Sequence, residues 1–164
     1  MTIIPKYNIS NNANRAIEFS DNIQAWIDED TCLMWEVKTE VNIEHQYIWS
    51  EEYADDIKDA FSYANQLNIH KYAGFDDWRV PTIKELKTII TEKDNNENYI
   101  KLALSKNTVK NYYWSSTPVT KNNNLAWYVY FSFGCTYEYD KVHSLHVRCV
   151  RYSSKDNFSL FIEI

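Results

Sequence analysis

The sequence predicts a single α+β domain in which two helices pack on a mostly antiparallel sheet. Apolar residues recur at three-to-four-residue spacing within residues 51–68 and 83–91. From Tyr112 onward apolar residues alternate with polar ones, which is the period of a strand. Helices followed by a cluster of strands favour an α+β domain over alternating βαβ units. No internal repeat or linker divides the 164 residues.

The first helix is predicted over residues 51–68. Ser50 is a suitable N-cap, and Glu51 and Glu52 match the positive end of a helix dipole. An apolar stripe follows at helical spacing, formed by Ala54, Ile57, Phe61, Ala64 and Leu67.

The second helix, over residues 83–91, begins at a capping box. Thr82 and Glu85 have the required spacing, so each side chain can bond the backbone amide of the other residue. Pro81 holds the chain that enters this helix in an extended conformation. The apolar face consists of Ile83, Leu86, Ile89 and Ile90.

The strands are predicted in two groups. The first group is a pair of short strands, 19–27 and 32–37, around a turn. The second group contains the segments 126–133, 135–139 and 145–151, with Gly134 at the turn between the first two. In the first of these three, alternation places Trp127, Val129, Phe131 and Phe133 on one face and Tyr128, Tyr130 and Ser132 on the other.

The domain is predicted to occupy residues 19–152. Residues 1–18 are polar and rich in Asn, which is typical of an arm or an edge strand. Residues 153–164 form a C-terminal extension that is predicted to be a strand.

The composition excludes several classes of function. Two glycines are too few for a glycine-rich phosphate loop, and the net charge of −6 disfavours nucleic-acid binding. Membrane insertion is not expected, because no apolar run reaches about 18 residues. The N-terminal residues lack the pattern of a secretory signal, which predicts a cytoplasmic location. No cofactor is predicted.

The cysteines and histidines offer little metal chemistry. Cys32, Cys135 and Cys149 contain no CxxC pair, so we expect reduced, buried thiols, although a bridge between the last two stays open. His143 and His146 lie three residues apart in an extended segment and would face opposite sides, which disfavours a shared zinc ion. The sequence therefore predicts no metal site.

Five segments resemble the Lcl C-terminal domain family and occur in the family's order: 30–36, 74–86, 113–117, 126–131 and 147–151. The resemblance implies a C-type-lectin-like fold with a loop-rich face, in the branch that includes formylglycine-generating enzymes. It also implies bacterial proteins that are often exported and that bind surface glycans or other macromolecules. Cys32 stands where relatives usually carry glycine, so we expect a different backbone conformation in that turn.

Nine residues inside the matching segments are interpreted as scaffold: Trp35, Trp78, Arg79, Pro81, Thr82, Glu85, Trp114, Trp127 and Arg148. Large aromatic side chains dominate the energetics of protein cores, so the four tryptophans are predicted to be buried. The arginines are expected to pair with acids or to stack on aromatic rings.

The tyrosines of the later strands are the candidate ligand-binding residues. Tyr128, Tyr130, Tyr137 and Tyr139, together with His143, lie outside the expected core face. A tyrosine combines a rigid apolar ring with a polar tip, which is typical of recognition surfaces. The alternative is that these rings only cover the second face of the sheet beneath a loop.

The preferred function is therefore a non-enzymatic recognition domain that binds a glycan or a protein through this tyrosine-rich surface. One alternative is a copper- or thiol-dependent oxidase of the formylglycine-generating type, which would use Cys135 and Cys149. Another is a structural module of a larger bacterial or phage-encoded assembly.

Overall fold

A computed structural model describes residues 14–19, 22–51, 58–95 and 98–153. Within these ranges the chain forms three antiparallel sheets and three α-helices. The α+β class is confirmed, but the predicted single sheet is wrong, because the strands divide into three small sheets. Residues 1–13 of the arm or edge strand predicted over 1–18, and residues 154–164 of the strand predicted over 153–164, lie outside the described residues.

The strands in chain order are β1 (Asn14–Phe19), β2 (Asn22–Asp28), β3 (Leu33–Glu36), β4 (Ile90–Asn95), β5 (Asn98–Ile100), β6 (Tyr112–Val119), β7 (Asn122–Tyr130), β8 (Cys135–Asp140) and β9 (Val150–Tyr152). The helices are α1 (Ala60–Ile69), α2 (Ile83–Thr88) and α3 (Leu102–Ser105). None of the helices in the described ranges is both long enough and apolar enough to cross a membrane.

The first sheet is built from both ends of the described chain, and the other two sheets are built from its middle. The first sheet has the order β1-β2-β3-β9, so the last described strand pairs with β3 near the start. The second sheet is the β4-β5 hairpin, and the third is a β6-β7-β8 meander. The third sheet lies between two apolar clusters. Trp114 belongs to the cluster on one side of the sheet, and Val129 belongs to the cluster on the other side.

Helix α1 begins nine residues later than the sequence predicted. Asp59 is the N-cap, and its carboxylate accepts hydrogen bonds from the amides of Phe61 and Ser62 at 2.9 and 2.8 Å. The amide of Ala60 donates to the carbonyl of Ile48 at 2.9 Å, and Asp59 itself is extended and bridges to Ile48. Ser50 therefore does not cap α1, and residues 52–57 of the predicted helix lie outside the described residues.

Helix α2 begins at the predicted capping box. The Thr82 hydroxyl accepts from the Glu85 amide at 3.2 Å, while the Glu85 carboxylate accepts from the Thr82 amide at 2.8 Å. Arg79 adds two further donors to the same carboxylate, at 2.6 and 2.8 Å. The helix ends at Thr88 rather than at residue 91, because Ile90 pairs with Ile100 at the start of β4.

We expect Glu85→Gln to lower the free energy of unfolding by about 1.5–3 kcal/mol, the range for charge-assisted hydrogen bonds. Glutamine still completes the capping box, so the variant isolates the pairing with Arg79 from the cap. Burial alone would raise the pKa of Glu85, but the contacts with Arg79 and Thr82 lower it. Urea unfolding measures the change, and Glu85→Ala, which removes cap and pair together, should cost more. Equal losses in both variants would show that the Glu85 side chain stabilises the domain only through its ion pair with Arg79 and that its part in the cap adds nothing.

The predicted strand over 145–151 is only partly formed. Its last part enters β9, while Leu145 and His146 make isolated bridges to Tyr47 and Tyr113. The segment changes partners along its length, so no continuous ladder develops. The predicted strand 126–133 ends as β7 at Tyr130, and the following turn carries Gly134 at φ +63°.

Three of the four motif tryptophans are core residues, as predicted. Trp35 and Trp114 are completely buried and Trp78 nearly so. Trp127 is only half-buried opposite Glu138, although Val129 on the same side of β7 is completely buried. The prediction for Trp127 is therefore wrong.

Cys32 keeps the left-handed backbone conformation that glycine would favour. Its φ is +56°, so the side chain is strained there.

We expect Cys32→Gly to stabilise the domain by about 1 kcal/mol, because glycine carries no steric penalty at this φ. Thermal and urea unfolding measure this. Cys32→Ala removes the thiol but keeps the Cβ atom, and a gain as large in that control would contradict the backbone explanation.

Candidate functional site

One face of the β6-β7-β8 sheet carries five tyrosines, which we call the tyrosine face: Tyr112, Tyr128, Tyr130, Tyr137 and Tyr139. Tyr112 lies directly opposite Tyr130, and Tyr128 lies opposite Tyr137. Residues that face each other across an antiparallel pair share one side of the sheet. The structure therefore brings together all four tyrosines that the sequence selected and adds Tyr112.

Tyr128 is at the centre of these rings. Its ring centroid lies 5.2 Å from that of Tyr112, 6.1 Å from that of Tyr137 and 6.0 Å from that of Tyr139. Trp114, directly opposite on β6, contacts it edge-on at 6.4 Å. Edge-to-face and tilted pairs of this kind stabilise an aromatic cluster beyond the area they bury. Trp114 thus connects the tyrosine face to the apolar core.

The outer part of the tyrosine face is open to solvent. Tyr137 is 54% exposed, Tyr139 40% and the neighbouring Phe133 66%. Partial burial, and then the proximity of the other tyrosines, raise the pKa of Tyr128, so its hydroxyl stays protonated at neutral pH. The covering alternative therefore finds no support at Tyr137 and Tyr139, whereas Tyr128 and Tyr130 are partly buried.

His143 lies at one end of the tyrosine face. Its ring centroid is 4.5 Å from that of Tyr139, and both residues line a pocket of about 240 Å³. The remaining lining residues are Gln46, Asn111, Tyr112, Ser144 and Leu145. Amide, hydroxyl and imidazole groups beside two aromatic rings can hydrogen-bond a small polar ligand while the rings contact its apolar surface.

His146 is buried behind this pocket and positions two of its amides. The side-chain amides of Gln46 and Asn111 donate to Nε2 of His146 at 3.3 and 3.4 Å. Burial lowers the pKa of His146, so its ring is neutral at pH 7 and can accept these bonds.

A second and larger concavity was not anticipated from the sequence. This cleft has a volume of about 710 Å³ and lies between helix α1 and the loop that precedes Tyr47. Its floor consists of Tyr47, Tyr63, Leu67 and Tyr72, and its rim of Asn42, Glu44, His45, Gln46, Gln66 and His70. These side chains come from three separate stretches of sequence, and none has a spacing that marks a site.

A buried charge network supports the floor of the cleft. The carboxylate of Glu36 pairs with the Lys38 ammonium at 2.9 Å, and both side chains are almost completely inaccessible. The Tyr63 hydroxyl donates to Glu36 and accepts from Lys38 and Asn42. Burial lowers the pKa of Lys38 against the opposing effect of Glu36. This network fixes Tyr63 and leaves its hydroxyl no capacity for a ligand.

Arg148 belongs to the same buried region, and it pairs with no acid among the described residues. Its guanidinium donates to the carbonyls of Glu36 and Asn107 and, at 2.9 Å, to the Thr108 hydroxyl. It is completely buried. The prediction that Arg148 is scaffold agrees with these contacts, since they join β3 to the chain around α3.

The cysteines occupy unrelated surroundings. Cys149 is completely buried, its amide donates to Glu36 at 2.9 Å, and burial raises the pKa of its thiol well above the ordinary value. Cys135 is partly exposed at the start of β8, opposite Tyr130. Both thiols are free, so the bridge left open by the sequence is not formed. Across the described parts of the chain, no three His, Cys, Asp or Glu side chains are grouped for a metal ion.

The architecture defines an α+β domain whose third sheet presents aromatic side chains to solvent next to a pocket and a cleft. The model of the Lcl C-terminal domain matches residues 24–151, and the chain belongs to this family, as the sequence motifs predicted. Neither a curated protein nor a solved structure matches the chain.

Proposed function

We propose that this domain is a non-enzymatic recognition module that binds a glycan on its tyrosine face. The observation that carries the proposal is the convergence of five tyrosines on one side of the β6-β7-β8 sheet, with Tyr137 and Tyr139 open to solvent. Exposed apolar surface beside polar groups is typical of an interaction site.

The chemistry of the face suits sugars. The C–H groups of a pyranose ring carry a small positive charge and pack against the electron-rich face of an aromatic ring, whose quadrupole is negative there. The pocket next to Tyr139 supplies neutral hydrogen-bonding groups from Asn111, Ser144 and Gln46 for the hydroxyls. Its volume of about 240 Å³ limits it to a group the size of one sugar unit.

The non-enzymatic part of the proposal is supported by the cysteines. An oxidase of the formylglycine-generating type needs accessible thiolates, whereas Cys149 is inaccessible and its pKa is raised. Cys135 lies opposite Tyr130, on a different element from the buried network. Assembly into a larger particle would require a protein surface, and the binding experiment below separates that outcome.

We also propose that the fold is C-type-lectin-like, as the family resemblance implies. The antiparallel pairing of β9, the last described strand, with β3 near the start of the chain supports this. An experimental structure compared with C-type-lectin domains tests it, and a different strand order would contradict it.

A glycan array compares the unaltered chain with Tyr139→Ala, Tyr139→Phe and Leu102→Ala. We expect Tyr139→Ala to weaken binding at least about tenfold, since a stacked aromatic residue is a common binding hot spot. Tyr139→Phe keeps the ring and should retain most of the affinity. Leu102, which is 65% exposed on α3, is the control for loss of exposed apolar surface.

A folded domain that binds no glycan on the array would overturn the proposal. Glycan binding that is unaffected by Tyr139→Ala would place the site elsewhere. If no sugar binds, but the domain captures a protein and Tyr139→Ala weakens that capture, the assembly alternative is favoured.

A further inference from the structure

The floor of the cleft contains a tyrosine whose hydroxyl bonds no described residue. Tyr47 is 4% exposed and lines the cleft, so a ligand there could reach it. Within the described residues, no hydrogen bond joins its hydroxyl to another group. Burial, and then the negative charge of Glu36, raise the pKa of Tyr47, which keeps the hydroxyl protonated and able to donate. A hydroxyl that lines a cleft without a described protein partner is a candidate ligand contact.

The cleft adjoins the pocket at the end of the tyrosine face. Gln46 lines both concavities. Behind it, Tyr47 and Leu145 exchange two backbone hydrogen bonds, at 2.8 and 3.0 Å, and these two residues line the cleft and the pocket respectively. One rigid bridge therefore separates the two concavities, and a ligand longer than the pocket would pass over Gln46 into the cleft.

The cleft differs from the tyrosine face in the contacts it can make. One face of the Tyr63 ring stacks on Tyr47 at 4.7 Å, and the Lys38 ammonium lies over the ring at 4.2 Å. Because these ring faces are occupied, the cleft offers little stacking; its accessible lining is mainly apolar, with a few hydrogen-bonding groups that can orient a ligand. The available groups are the Tyr47 hydroxyl and the amides and imidazoles of the rim, such as Gln66 and His70.

The residues that line the cleft and the pocket also disfavour acidic ligands. Among the described residues that line the cleft and the pocket, none is Lys or Arg, and Glu44 is the one carboxylate. A sulfated or otherwise acidic glycan would find no counter-charge there, and the net charge of −6 would repel it. Neutral hydroxyl groups match amides, imidazoles and a tyrosine hydroxyl.

We infer that the cleft is a second subsite of the glycan site, and that the domain binds a neutral oligosaccharide with one unit in the pocket and the following unit in the cleft. This inference rests on the proposed function of the tyrosine face. The first subsite holds its sugar mainly by contact with Tyr139 and Tyr112, and the second orients its sugar by hydrogen bonds to Tyr47 and Gln66. Binding should therefore depend on chain length.

Calorimetry with ladders of one to six units of chito-, malto- and manno-oligosaccharides tests the inference, with a heparin hexasaccharide as the acidic ligand. We expect affinity for the bound ladder to rise between one and about three units. We expect Tyr47→Phe and Gln66→Ala each to weaken binding of the longer members about three- to tenfold, the value of a hydrogen bond, with little effect on the single unit. Tyr139→Ala should weaken every member.

The variants are chosen to leave the fold intact. The Tyr47 hydroxyl bonds no described protein group, so its removal should cost little stability. Tyr99→Phe removes a hydroxyl from β5, outside both concavities, and is the matched control.

The outcomes separate this inference from the proposed function. Binding that requires Tyr139 but shows neither a gain with length nor an effect of Tyr47→Phe overturns the cleft subsite and leaves the tyrosine face in place. Binding of the heparin fragment alone overturns the neutral class. If none of these ligands binds, the cleft subsite is overturned, and the glycan array decides separately whether the tyrosine face binds any sugar.

Discussion

Glu36→Gln should lower the free energy of unfolding by about 3–5 kcal/mol, the usual cost of leaving one member of a buried ion pair without its partner. The Lys38 ammonium, which lies 2.9 Å from the carboxylate, would remain buried without a counter-charge. The hydroxyl of Tyr63 and the amide of Cys149 would also lose a charged acceptor. Urea unfolding followed by far-UV circular dichroism measures the loss.

The double variant Glu36→Gln/Lys38→Met is the control. Removing both charges should recover a large part of the loss, because well-packed apolar groups often replace a buried ion pair at little cost. If the double variant is as unstable as the single one, the damage comes from the hydrogen bonds to Tyr63 and Cys149 rather than from the unpaired ammonium. A single-variant loss below about 1 kcal/mol, the value of an exposed pair, would contradict the network as described.

Trp114→Ala should be similarly damaging, with an expected loss of about 3–5 kcal/mol for a fully buried large aromatic residue. Trp114 is completely buried, and its indole N–H donates to the carbonyl of Tyr47 at 2.9 Å. It also contacts Tyr128, so its removal should loosen the tyrosine face. Thermal unfolding gives the stability, and near-UV circular dichroism reports the packing of the tyrosines.

Trp127→Ala is the matched control for this variant. The two tryptophans are on neighbouring strands, but Trp127 is only half-buried. We expect a loss of about 1 kcal/mol there, since truncation of a partly exposed side chain leaves little cavity. Equal losses at the two positions would show that burial does not determine how much each tryptophan contributes to stability.

Local signals in the sequence predicted the elements that depend on neighbouring residues. Thr82 and Glu85 of the capping box are three positions apart in sequence. The box forms in the structure with every expected hydrogen bond. The start of α1 was mispredicted because its cap depends on a distant contact. Ile48 holds the chain at Asp59 extended, and nothing near Ser50 indicates that pairing.

The candidate site divides in the same way. Alternation along β7 was enough to place Tyr128 and Tyr130 on one face, because the strand period is two residues. That Tyr137 lies on the same side depends on the register between β7 and β8, which alternation does not fix. The cleft could not be predicted, since Tyr47 and Gln66 meet only through tertiary packing. The burial of Trp127 was mispredicted because the motif gives the residue type but not how much of the side chain other parts of the chain cover.

The pairing of β3 with β9 has a consequence for how the chain reaches its native state. The hydrogen bond from Arg148 to Glu36 and the one from Cys149 to Glu36 join residues 112 and 113 positions apart. Contacts of such long sequence separation must await loop closure, and domains rich in them fold slowly. We expect the Glu36 network to close late, so that Glu36→Gln accelerates unfolding far more than it slows refolding in stopped-flow experiments. An equal effect on both rates would place this closure before the folding barrier.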